Sequence, residues 1–294
     1  MRAIVAGLSL SLVFAATCMG QVAQVSSTRE LPPSDHPIRS SVYCSGFYSG
    51  QRVSDELRLV TGEQSEYKAT FTEGDVVYLS IGASKGVQPG DRFSVMRETS
   101  DPLKVPMFKW QEKLIKAMGT YYLDLGQLEV IKVQPNVAIA KVSMSCDYMQ
   151  RGDIIRPFVE RPSGPYKDAS AFESFAPVSG KPVAMVVGGG DTQQLAGKLD
   201  TVYVNLGTGQ GVKVGDYFRV FRYQGTKPGI IAVEKDYQDQ LFGEGSNPRH
   251  YAWNDLPREV LGEGIVLNTT QNASTVLLTV AKREIYSGDY VELE

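Results

Sequence analysis

Hydrophobic and polar positions alternate in short runs along most of this chain. Asp91-Arg92-Phe93-Ser94-Val95 and Asp216-Tyr217-Phe218-Arg219-Val220 interleave polar with apolar residues. That period of two predicts strands with one buried face. Val76-Val77-Tyr78-Leu79 and Val202-Tyr203-Val204 are β-branched and aromatic runs that predict two more. Gln127–Val133 and Ala138–Met144 predict a hairpin about Pro135-Asn136, and Gly264–Leu267 with Thr275–Val280 predicts another about Gln271-Asn272. One segment has a different period. Between Met107 and Met118, apolar residues fall at 107, 110, 114, 115 and 118, which predicts an amphipathic helix that stops at Gly119 and puts Trp110 in the core.

The pattern is written twice. Residues 75–98 and 200–223 align without a gap at an offset of 125, with 11 of 24 positions identical. Residues 125–158 and 261–294 align again at an offset of 136, so the intervening segment is 11 residues longer in the second copy. Both copies carry G-x-x-x-G-V-x-x-G-D between two strands, and both end on a further Gly-Asp corner. Gly82 and Gly207 end a strand where the chain turns. Gly86 and Gly211 are placed for a positive φ. Gly90-Asp91, Gly215-Asp216, Gly152-Asp153 and Gly288-Asp289 are tight turns in which the aspartate can accept backbone N–H groups. Strands this short bury their apolar faces without open edges by closing into barrels. The expected fold is therefore mainly β: two tandem small β-barrel-like domains from an internal duplication, with one amphipathic helix inserted in the first.

Residues 1–20 are expected to be a signal peptide, with Met1-Arg2 followed by an apolar core from Ala3 to Ala16. A lipoprotein signal acylated at Cys18 is the alternative and is not favoured, because Thr17 stands where a smaller residue is usual. No later stretch approaches the length of a spanning helix. Residues 21–40 are a polar, flexible lead-in, 41–158 the first domain, 159–182 a Pro-rich linker, and 183–294 the second domain. Cys44 and Cys146 then share an oxidising compartment, which favours a disulfide over two buried thiols. The net charge of −3, with no basic stripe, argues against nucleic acid as a partner.

Candidate chemistry is thin. His36 and His250 have no ligand spacing with the cysteines, which argues against zinc, and they support no Ser-His-Asp or Cys-His arrangement. Val183–Asp191 (VAMVVGGGD) lacks the full dinucleotide fingerprint. The loop Gly207–Gly211 leads into a strand rather than a helix N-terminus, so it is no phosphate cradle. No catalytic residue, metal ligand or cofactor is assigned. The segment 224–260, rich in Gly and Pro, is expected to be an exposed loop, with Tyr237, Phe242, His250, Tyr251 and Trp253 as its contact patch.

The duplicated glycine–aspartate pattern resembles the small β-domain at the C-terminus of bacterial flagellar assembly protein T, over most of residues 71–158 and 196–294. The whole chain, including FVERP and LPREVLGEG, is similar to a group of uncharacterised secreted Gram-negative envelope proteins. The resemblance implies a non-catalytic scaffold in the periplasm or outer envelope, an accessory part of a secretion, pilus or flagellar-type assembly with envelope proteins as partners. The alternative is a glycan or peptidoglycan binder, less plausibly a hydrolase, stacking sugars on the loop aromatics.

Overall fold

The structure is a computed structural model that describes residues 36–99, 106–190, 193–224 and 256–294. In the first half, the helix α1 (Arg39–Tyr43) precedes strands β1 (Phe47–Ser49), β2 (Leu59–Gly62), β3 (Thr70–Phe71), β4 (Val76–Leu79) and β5 (Arg92–Thr99). Helix α2 (Gln111–Met118) leads into the long hairpin β6 (Thr120–Val133) and β7 (Ala138–Ser145), then β8 (Met149–Gln150) and β9 (Ile154–Pro157). The second half repeats this series as β10 (Val183–Gly189), β11 (Leu195–Ala196), β12 (Thr201–Val204), β13 (Tyr217–Tyr223), β14 (Arg258–Thr269), β15 (Ser274–Ala281), β16 (Ile285–Tyr286) and β17 (Tyr290–Leu293).

The two halves share one topology. Neighbours run β2-β4-β7-β6-β5-β9 in the first and β10-β12-β15-β14-β13-β17 in the second, where the ring closes into a barrel. The registers coincide residue for residue. Gly126 faces Ser145 and Leu128 faces Val142, as Gly262 faces Ala281 and Gly264 faces Leu278, with the bulges at the same places. The first ring is joined by an isolated bridge between Arg58 and Ile154, supported by Leu59 N–H to Asp153 O at 2.9 Å. The second closes through the full β10–β17 ladder. Each ring holds its own apolar interior, with Leu59, Val77, Leu79, Val95 and Leu128 in one and Val186, Val202, Val204, Val220 and Leu278 in the other.

Turn chemistry explains the repeated glycines. Gly86 and Gly211 have φ of 83° and 85°, with open space where a Cβ would stand, so backbone conformation alone requires glycine there. Gly82 and Gly207 are extended. They are needed because the β6–β7 and β14–β15 turns press onto them, where a Cβ would meet the carbonyl oxygens of Gln134 and Thr270 at 2.3 and 2.1 Å. One corner breaks the pattern: Gly74 at φ 91° is replaced in the second copy by Leu199 at φ 72°. Gly86→Val should therefore cost about 1–3 kcal/mol in backbone strain. Leu199→Gly, at a position 62% exposed, should gain roughly 0.5–1 kcal/mol, the relief of strain less the entropy of the freer unfolded chain. Urea unfolding of the two variants should show shifts of opposite sign; shifts of the same sign would contradict this account of the turns.

Contacts join the described residues into one unit. The amphipathic segment is helical only from Gln111, and Trp110 is 53% exposed rather than buried. Trp110 lies outside the helix, so the 3.6 period does not carry through it, and Phe108 points inward instead. Arg39 and Ser40, read from composition as lead-in, belong to α1, whose Val42 packs on Ile265, Leu267 and Leu277 of the second barrel. Residues 258–260 of the expected loop are already in β14, because they pair with β13. The stretch 159–182 lies along both barrels: Arg161 binds Asp124 at 2.8 and 2.9 Å, and Lys167 reaches Glu263 and Glu294.

The barrels meet at a seam of tyrosines. Tyr48, Tyr121, Ile115 and Met118 from the first half pack with Val187, Tyr203 and Ala273 from the second. The Tyr121 and Tyr203 hydroxyls lie 2.8 Å apart, and Tyr203 donates to the carbonyl of Ser45 at 2.8 Å. Thr270 and Thr275 donate to the carbonyls of Tyr48 and Gly46, and Gln111 to that of Val187. The disulfide Cys44–Cys146 ties this N-terminal bracket to the end of β7.

Candidate functional site

Six aspartates in a repeat could be ligands or acid–base pairs. In all six turns the aspartate accepts the N–H three residues earlier, at 2.6–2.9 Å: Asp75 from Thr72, Asp91 from Gln88, Asp153 from Gln150, Asp200 from Gly197, Asp216 from Lys213 and Asp289 from Tyr286. The residue before each has positive φ. The corners are spread over both barrels, and among the described residues no three His, Cys, Asp or Glu could hold a metal together.

Three of the six do more: Lys68 binds Asp75 at 2.7 Å in a part-exposed pair, and the other two are held by arginines. Arg97 forks onto Asp153 at 2.8 and 2.9 Å, and Arg222 onto Asp289 at 2.7 and 2.8 Å. Each guanidinium also lies over a ring, Tyr148 at 4.9 Å and Tyr286 at 5.2 Å. The Asp153 and Asp289 side chains are 2% and 1% exposed, so these are buried, bidentate pairs. They lock the last strand of each ring to β5 or β13. The identity of Arg97 and Arg222 between the copies was the available signal.

Further charges hold the stretch 159–182. The Lys167 ammonium and the Arg219 guanidinium stand between Glu263 and Glu294. Burial, and then the Glu294 carboxyl, raise the Glu263 pKa. Burial would also raise Glu294, but the Lys167 bond brings it below the ordinary value. Arg258 and Glu292 form a pair with side chains 8% and 0% exposed. Burial opposes the Glu292 charge, yet the Arg258 and Ser179 bonds lower its pKa overall. At the seam, burial and then Tyr121 push the Tyr203 phenol well above its usual range, which leaves it a neutral donor rather than a base. A cleft of about 190 Å³ opens beside this pair, next to Ser45 and Leu199.

The surface with the most contact character is aromatic. Phe221, Tyr223 and Tyr290 form a cluster with ring centroids 5.2–5.7 Å apart, and Tyr223 is 62% exposed at its edge. Arg258 covers the inner side, 4.4 Å over Phe221. Tyr223 ends β13 and Leu256, 43% exposed, precedes β14, so the cluster stands beside the two described ends that flank residues 225–255. The sequence-based contact residues Tyr237, Phe242, His250, Tyr251 and Trp253 lie outside the described residues. Val183–Gly189 is a barrel strand and Thr208–Gln210 a short turn, which gives neither a nucleotide geometry. No described helix is long and apolar enough to cross a membrane. No protein-family model matches the chain, and no curated protein is significantly similar to it.

Proposed function

We propose that this protein is a non-catalytic binding scaffold of the bacterial cell envelope, an accessory part of a secretion, pilus or flagellar-type assembly. The observation that carries the reading is the seam. Two sibling barrels are locked by a tyrosine cluster and backbone-directed hydroxyls into one body. Its buried charged groups are paired with one another, and a rigid bracket of this kind presents loops and an aromatic edge at a defined spacing. The disulfide supports an exported location, since such bonds persist in oxidising compartments. Strand addition to the second barrel gains no support, because a closed ring leaves no free edge. The partner contact is assigned instead to the face around Tyr223.

The exposed Tyr223–Tyr290 edge also suits a sugar ring, so glycan binding is the second reading. A photo-crosslinking residue in place of Tyr223, in the exported full-length protein, should capture one envelope protein. In parallel, Trp110→Phe leaves Trp253 as the sole tryptophan. If soluble peptidoglycan fragments shift its emission while position 223 captures no protein, the glycan reading replaces the scaffold.

A further inference from the structure

The duplication supplies a control that a single barrel lacks: each outer position of one ring has a counterpart in the other. On the second barrel, Val187, Tyr203, Ala273 and Thr275 are buried beneath β1, α2 and the start of β6. By the shared registers, their counterparts on the first barrel are Val60, Tyr78, Val137 and Ile139. Nothing described covers these four to the same degree: Val60 is 47% exposed, and Tyr78, Val137 and Ile139 are partly exposed. Ile131 beside them is 50% exposed.

Water on a barrel's outer face favours polar residues, and two neighbouring positions follow that rule. Of Ile265, Leu267 and Leu277, which receive Val42 of α1, the first and last correspond to Glu129 and Lys141, both exposed, and Leu267 to Ile131. The first barrel has therefore become charged at two of the three positions where α1 would sit, and has stayed apolar at all four where a strand and its tyrosine would sit. We infer that the outer face around Tyr78 is a docking face for a partner protein, one that supplies an extended segment bearing an aromatic side chain, seated as β1 is seated on the second barrel. Thr270 and Thr275, which bind the carbonyls of Tyr48 and Gly46, correspond to Gln134 and Ile139. The occupant is thus held mainly by apolar contact, with the Tyr78 hydroxyl at the place of the Tyr203 donor. A second copy is a poor occupant, since its own β1 and α2 are already engaged on its second barrel. The inference is independent of the Tyr223 contact: the two faces are on different barrels.

The test is photo-crosslinking in intact cells, with p-benzoylphenylalanine at Val60 and, as the control face, at Tyr67, which is 91% exposed. The expected result is an adduct specific to position 60, mapped by mass spectrometry to an extended, aromatic-bearing segment of a different protein. It should fall at least tenfold in Tyr78→Asp and in Ile139→Asp, each first shown to melt as the parent does. An adduct with a second copy, an adduct with glycan, equal capture at position 67, or no adduct at all would each overturn the inference. Capture at position 223 would be unaffected by any of these outcomes.

Discussion

Replacing Asp289 by alanine should destabilise the protein by about 3–5 kcal/mol, because it leaves the Arg222 guanidinium part-buried and without its bidentate partner. Asp153→Ala should cost a similar amount through Arg97, since the geometry is duplicated. The informative comparison is with the corners that look the same in sequence. Asp91 and Asp216 hold only the turn N–H among the described bonds, at 2.9 and 2.8 Å. Their alanine variants should lose about 1 kcal/mol, the ordinary net worth of one such hydrogen bond. Urea unfolding followed by far-ultraviolet circular dichroism separates the two classes. Equal losses at all four positions would mean that the arginine forks contribute nothing beyond the turn.

Breaking the disulfide is expected to be nearly as costly. Cys44 and Cys146 are 102 residues apart, and closing a loop of that size removes unfolded-state entropy worth about 2–5 kcal/mol. The position adds a local consequence. Cys44 follows α1 directly and precedes the carbonyls of Ser45, Gly46 and Tyr48 that the second barrel grips. Cys44→Ser with Cys146→Ser should lower the melting temperature by roughly 5–15 °C and accelerate amide exchange at Gly46 and Tyr48 before the barrel interiors. Reductant should reproduce both effects in the parent protein. A melting temperature indifferent to reductant would show that the bracket is held by packing alone.

Much of the fold is legible because its signals are local. A positive φ at Gly86 or Gly211 is a property of one residue, and alternation in Phe93–Val95 or Phe218–Val220 a property of three. What defeated sequence reasoning was distance. Arg97 finds Asp153 56 residues away and Arg222 finds Asp289 67 away, so their identity in both copies was visible while its purpose was not. Gly126 and Gly262 align in the repeat, yet the reason is a carbonyl across the hairpin, where a Cβ would stand 2.1 Å from Met144 O or 2.3 Å from Val280 O. Trp110 was misplaced because the helical spacing read from Met107 begins four residues ahead of the helix itself, at Gln111.

Tyr78 and Tyr203 mark the boundary between the two kinds of information. The chain alone determined that both stand in a short strand ahead of the same glycine turn, since strand period and turn geometry depend on neighbouring residues. Only the tertiary structure decided that Tyr203 is buried at the seam while Tyr78 remains partly open to solvent. Burial on a barrel's outer face depends on what is laid over it, and the covering strand and helix come from residues 39–49 and 111–122, far from either tyrosine in sequence.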